Sequence, residues 1–175
     1  TELISLTAFY KLIKNPISRI EVASAGGYLS YENIADKAKV AGVEVEVRKN
    51  LFVRPLSSAA NGMNKLSFGL NGSYICTNAK MPLATVTTGS QLEGAAPWIA
   101  NFDLSHNFTK GTHSFINTLV FNYVSDKIYT IGTQGYQDII EQGMMTLDFV
   151  SQAKLNKYVS LTLKARNLLN PSYKL

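Results

Sequence analysis

A single cysteine, Cys76, stands among 175 residues, so no disulfide framework holds this chain together. It falls on the apolar side of its run, which predicts a buried structural thiol rather than a nucleophile. Charge is scarce too: Asp, Glu, Lys and Arg supply 17% of the sequence, against roughly 25% in an ordinary soluble domain. Long apolar runs are missing, and nothing approaches the ~18 consecutive apolar residues of a transmembrane helix, although 46% of residues are apolar. Low charge without a helical span suits a half-buried sheet or a barrel wall and argues against a helical membrane protein. The 17 basic residues exceed the 12 acidic ones, for a net charge of +5, but they are scattered. No dense basic cluster runs beside exposed aromatics, so nucleic acid is not an expected partner. The sequence starts at Thr1 with no signal-like stretch of its own and is expected to be a piece of something longer, with length enough for one domain.

What the chain has instead is alternation. In 41–51 the odd positions Ala41, Val43, Val45, Val47 and Leu51 are aliphatic, while Gly42, Glu44, Glu46, Arg48 and Asn50 fill the even ones. Successive side chains of a strand point to opposite faces, so this run has one apolar and one charged face. Leu66, Phe68, Leu70 and Tyr74 alternate likewise with Ser67, Asn71 and Ser73, and Trp98, Ala100, Phe102 and Leu104 with Asn101, Asp103 and Ser105. The pattern predicts seven strands, over residues 1–13, 40–53, 66–77, 97–108, 113–129, 144–155 and 158–167. Several match or exceed the ~9–11 residues that cross a bilayer at a tilt.

The links between these strands are sided. Thr109-Lys110-Gly111-Thr112 and Asn156-Lys157 are tight, and a middling link carries the turn signal Asn61-Gly62. The links over 14–39, 78–96 and 130–143 are long. In an antiparallel meander every second link lies at the same end, so the long ones share one end and the shorter ones the other. Phe52, Phe108, Phe115 and Tyr158 lie near the short-turn end, and Tyr10, Tyr74, Trp98 and Tyr123 near the long-loop end. Two aromatic rows bracketing an aliphatic band are the pattern of membrane-interface girdles.

Reactive constellations are absent from the pattern. His106 and His113 flank a tight turn, and Asp103 lies on the opposite face from His106, so a zinc or rim-protease site does not assemble. Ser73 lacks the Gly-x-Ser-x-Gly frame, and Ala25-Gly26-Gly27 lacks phosphate-loop spacing. Asn71-Gly72-Ser73 and Asn107-Phe108-Thr109 match a glycosylation acceptor pattern but sit in or beside strands. No catalytic residue, metal or cofactor is expected.

Phe9-Tyr10, Tyr31-Glu32-Asn33, Gly42-Val43-Glu44, Ala96-Pro97, and Asn167-Leu168-Leu169-Asn170-Pro171 with Tyr173 occur in that order along the chain. Together they make the sequence similar to the later barrel strands of TonB-dependent outer-membrane receptors. The resemblance implies an all-β antiparallel up-and-down meander of about seven long strands, a segment of a transmembrane β-barrel. It implies one partial barrel domain over 1–175, with no plug domain and without the final strand. The parent receptor would sit in the outer membrane of a Gram-negative bacterium, contacting lipid, its own plug and the TonB system. It would import a scarce nutrient such as an iron chelate, cobalamin or a glycan.

On that reading Glu44, Glu46, Arg48, Asn71, Asn101, Asp103, Asp148, Gln152, Lys154, Lys164 and Arg166 face the lumen and the plug. Tyr28, Tyr31, Tyr129, Tyr136 and Gln137, in the long loops, are the ligand-binding candidates. A soluble β-barrel or β-sandwich domain binding a lipid or sugar on an inward apolar face stays open as the alternative, since alternation alone does not say which face is inside. Free edges and exposed apolar surface predict that the isolated chain self-associates. Light scattering should detect dimers or larger species, and a clean monomer at high concentration would contradict this.

Overall fold

The computed structural model describes residues 2–22, 26–56, 62–81 and 91–175. Thr1, Ala25, Asn61 and positions 82–90 of the second long link lie outside the described residues. Eleven strands follow in order: β1 (Leu3–Lys14), β2 (Ile17–Glu21), β3 (Leu29–Asn33), β4 (Lys37–Leu56), β5 (Gly62–Ala79), β6 (Trp98–Lys110), β7 (His113–Val124), β8 (Lys127–Thr130), β9 (Ile139–Glu141), β10 (Met144–Lys154) and β11 (Ser160–Ala165). Seven of them form one antiparallel sheet, ordered β1-β4-β5-β6-β7-β10-β11. This is the expected seven-stranded meander.

The other four strands make two small hairpins, β2-β3 and β8-β9, inside the first and third long links. Their runs are too short for alternation to reveal. The fifth long strand, expected to reach Tyr129, stops at Val124, because Ser125 and Asp126 turn the chain. The Ser125 hydroxyl accepts from the Trp98 N–H at 3.0 Å and the Asp126 carboxylate from the Gly143 N–H at 2.5 Å. At the short end Gly111, at φ +59°, takes the first central position of a two-residue turn between Lys110 and His113. The last turn is longer than Asn156-Lys157, since Asn156 Oδ1 accepts from the amides of both Tyr158 and Val159 at 2.8 Å.

Register assigns the faces. One row reads Ser5, Glu46, Asn71, Asn101, Asn122, Thr146, and the next pairs Leu3, Arg48, Gly69, Asp103, Val120, Asp148. On the opposite face Leu6, Val45, Gly72, Ala100, Tyr123 and Met145 share a row, as do Ile4, Val47, Leu70, Phe102, Phe121 and Leu147. Tyr10, Tyr74, Trp98 and Tyr123 all lie on this apolar face, with the Tyr74 and Trp98 rings 4.4 Å apart. Toward the short turns Phe108 and Phe115 pair on the same face, at 6.4 Å between ring centroids.

Phe52 joins them through a β-bulge. Leu51 is the extra residue between the pairs Asn50–Ser67 and Phe52–Leu66, so an even position meets the apolar side. Tyr158 is the exception, sitting in the last turn. Trp98 and Phe108 are ten residues apart on β6, which is about 33 Å along the strand and about 25 Å after a ~40° tilt.

Among the described residues no second layer covers this apolar face. Ile4 and Leu6 are 82% and 75% exposed, and Cys76, expected to be buried, is exposed there as well. Two pairs of its polar residues bond to each other, His106 to Asn64 at 2.8 Å and Ser151 to Asn117 at 2.8 Å, so His106 does not meet His113.

The buried core sits at the long-loop end instead. Ile20, Ile34, Ala35, Leu92, Ile128 and Ile131 gather with Ala38 and Ala79, which pair across β4 and β5. Ala38, Val40 and Ala79 belong to the same side of the sheet as Glu44, Glu46 and Asn71. The long links therefore fold inward over the polar face. Ala38 is fully buried, and Ala38→Leu should overpack this layer at a cost of about 1–3 kcal/mol. Limited proteolysis of the folded protein should then cleave the long links faster while the seven-stranded sheet persists.

A candidate ligand-binding mouth over the polar face

Alternation in the two small hairpins sorts their residues. Ser18 and Ile20 of β2 and Ile128 and Thr130 of β8 are buried, which leaves Arg19, Tyr129 and Lys127 on the other side. Arg19 pairs across β2-β3 with Tyr31. Tyr129 is the unpaired residue of a bulge between Ile128–Ile140 and Thr130–Ile139, and the bulge turns its ring toward Arg19. The guanidinium lies 4.3 Å from the Tyr129 ring centroid and 5.8 Å from that of Tyr31. Glu93, from the second long link, completes the group with an ion pair at 3.8 Å and accepts from the Arg19 amide. Lys127 and Glu141 pair beside it at 3.1 Å, opposite one another on β8 and β9.

Electrostatics follows from these neighbours. The hydrogen bond from Arg19 to Tyr31, aided by Tyr129 and Glu93 against some desolvation, raises the guanidinium pKa above its ordinary value. Arg19 is thus cationic at any biological pH. Tyr173, in the segment after β11, joins the cluster, because Gln142 N–H donates to the Lys174 carbonyl at 3.0 Å. Partial desolvation by its neighbours raises the pKa of the exposed Tyr173, with Glu141 and Tyr129 acting the same way and Lys127 and Arg19 opposing. Its folded-state pKa lies above the unfolded one, so its contribution holds at neutral pH and is lost as pH rises through the tyrosine range at about 10.

The backbone laces three links together. Ile20 and Ile131 form a parallel bridge, with Glu21 N–H donating to Ile131 at 3.1 Å and Ile131 N–H to Arg19 at 3.0 Å. Gly94 N–H donates to Ile128 at 2.9 Å, and the Thr133 hydroxyl to Glu21 at 2.6 Å. The links after β1, β5 and β7 thus make one body, and it holds the buried cluster described above.

Of the five loop candidates, Tyr31 and Tyr129 are brought together. Tyr28 lies at the β2-β3 turn, its carbonyl accepting from Val22 N–H at 2.9 Å. Tyr136 and Gln137 follow Gln134 and Gly135, both at positive φ, and Tyr136 N–H donates to Thr133 at 3.1 Å. No hydrogen bond or ring contact among the described residues joins these three to the Arg19 cluster. Arg19, Glu93, Lys127, Glu141 and Tyr173 are not marked as binding residues by the sequence, since their partners are 12 to 110 residues away or reached only through the folded links.

The register places every polar-face candidate except Arg166 on one face. Arg48 Nε bonds Glu46 at 2.7 Å, Asn101 donates to Asn71 at 3.5 Å, and Asn122 to Thr146 at 3.1 Å. Asp103 lies over Gly69, where any Cβ would collide with its carboxylate. Glu44 faces Ser73, Gln152 faces Thr162, Lys154 faces Ser160 and Lys164 faces Val150, while Arg166 lies just past β11. Asp148 also holds the chain after β11, accepting from Asn167 N–H at 2.7 Å. Asn167 and Asn170, at φ 55° and 45°, take left-handed turns that asparagine tolerates, which explains their place in the Asn-Leu-Leu-Asn-Pro segment.

No group of three or more metal-ligating side chains occurs among the described residues. No helix of the described residues is long and apolar enough to cross a membrane. The family model described as TonB dependent receptor-like, beta-barrel, matches residues 1–168. No curated protein and no solved structure matches the chain. Replacing Arg19 with Ala should speed amide exchange at Ile131 and Gly94 roughly tenfold, the scale of two lost cation–π contacts. Exchange in β5 and β6 should not change.

Proposed function

We propose a role in nutrient uptake for this chain on the premise that it belongs to the TonB-dependent receptor-like β-barrel family. The seven-stranded sheet is a stretch of receptor barrel wall, and the family is one of transporters rather than enzymes. Its apolar face meets the hydrocarbon of a Gram-negative outer membrane, and its polar face lines the lumen. The observation that carries this reading is the cap. The long links bury their apolar side chains against Ala38, Val40 and Ala79 on the polar side and leave the opposite face bare. A soluble domain with an apolar ligand cavity would need the reverse.

In this arrangement a ligand arrives at the long-loop end and stacks on the Tyr31 and Tyr129 rings. Arg19, already held by Glu93, keeps both rings oriented and adds hydrogen-bond donors. Released inward, the ligand meets a wall of Glu44, Glu46, Arg48, Asn71, Asn101 and Asp103. Those mixed charges and amides serve two ends, contact with the receptor's plug domain and weak polar passage for the solute. Energy is coupled through the plug and the TonB system. The solute is a scarce nutrient of the iron chelate, cobalamin or glycan class.

Expression of the full-length gene should place the product in the outer-membrane fraction with heat-modifiable gel mobility, and recovery as a soluble protein would sink the proposal. Growth on a limiting ferric chelate, cobalamin or glycan should identify the cargo. Tyr31→Ala combined with Tyr129→Ala should raise the concentration needed by about tenfold, as expected for two lost ring contacts, without lowering the amount in the membrane.

A further inference from the structure

We propose that the apolar face carries, at its long-loop end, a binding site for the phosphate-bearing headgroup and one chain of a membrane lipid. The inference rests on that face being turned to lipid. Beyond the aromatic row the register places Lys14 opposite Lys37, and Leu12, Lys39 and Asn78 in one line. Lys80 follows β5 and lines the same 470 Å³ depression as Leu12, Lys37, Lys39 and Asn78. All four lysines are exposed. Asp36 is the one acid beside them, and among the described residues no carboxylate stands within ion-pair distance of any of the four. Four exposed ammonium groups without an ion-pair partner gather at one end of this face and make a positive patch that attracts an anion.

The surface just below supplies the second half. A 340 Å³ groove runs over Gly72 and Ala100, between Val43 and Val45 on one side and Tyr74, Trp98 and Tyr123 on the other. A Cβ at Gly72 would meet nothing nearer than 4.0 Å, so the floor is open. From Lys39 to Val43 is four residues, or about 13 Å along the strand. One molecule with a phosphate on the lysines and an alkyl chain beneath the Tyr74–Trp98 pair spans both features. The apolar groove is what selects a lipid over a free phosphate ion.

The experiment uses the full-length protein in nanodiscs of phosphatidylcholine with a minor share of phosphatidic acid, and native mass spectrometry counts the retained lipid. The wild type should enrich phosphatidic acid over bulk, less so as salt is raised. Each lysine contributes about fivefold at most, so Lys14→Gln, Lys37→Gln, Lys39→Gln and Lys80→Gln combined should lower enrichment by tenfold or more. Lys110→Gln with Lys157→Gln, at the other end, should leave it unchanged. Equal enrichment in the quadruple variant, or no salt sensitivity in the wild type, overturns the proposal. Displacement by inorganic phosphate as effective as by lipid also overturns it, since the site would then hold a soluble anion. A wild-type protein that fails to enter nanodiscs refutes the membrane reading beneath; an inserted protein without selectivity refutes this site alone.

Discussion

Backbone hydrogen bonding without help from water is the constraint on which the rest of this structure depends. In hydrocarbon an unpaired N–H or C=O costs several kcal/mol, so a spanning sheet must pair its strands without gaps. Here the ladder runs unbroken from β1 through β4, β5, β6, β7 and β10 to β11. Once the ladder is in place, register is set, and with it the side of every residue. Glu46, Asn71, Asn101 and Asn122 fall in one line because their backbones pair, whatever their mutual attraction. Two bulges bend the rule locally, one bringing Phe52 to the apolar side and one aiming Tyr129 at Arg19.

Apolar burial enters in two opposite senses. On one face Leu6, Val43, Val45 and Leu70 are left bare, which is stable only against a nonpolar medium. On the other, polar over most of its height, Ala38 and Ala79 make a small apolar platform at the rim, and the long links close on it. The platform residues are small, the cap's isoleucines pack with them in one buried cluster, and Thr77 Oγ1 accepts from Leu92 N–H at 3.0 Å. Hydrophobic contact thus turns the loops toward the polar side, and the same contact brings Tyr31, Arg19 and Tyr129 together at the rim.

The long strands were legible because a period of two persists over ten or more residues, as in Ala41 to Leu51, and because each tight turn carries its own chemistry, such as Gly111. The sides of the girdle aromatics followed from the same period, except Phe52, whose bulge leaves no mark in the sequence. The small hairpins were not legible. Ile17–Glu21 and Lys127–Thr130 hold only five and four residues, too few for a period to stand out. Tyr31 and Tyr129 were visible as loop aromatics, but Arg19 between them was not. Its surroundings combine a cross-strand neighbour, a bulge more than a hundred residues away in sequence and a carboxylate from a third link. Side-chain clusters assembled from separate links depend on tertiary folding, and no local rule anticipates them.

The lacing of the three links has an evolutionary corollary. Surface loops ordinarily vary independently, which lets a scaffold acquire new specificities one segment at a time. Here Arg19 needs Tyr129 and Glu93, Ile131 needs Glu21, and Gly94 needs Ile128, so substitutions in one link alter the fitness effect of those in the others. Specificity should therefore drift in correlated steps across all three links. A graft of one link into a related barrel would bring only a fragment of the interlaced body, whereas the three transplanted together form the smallest unit that keeps its contacts.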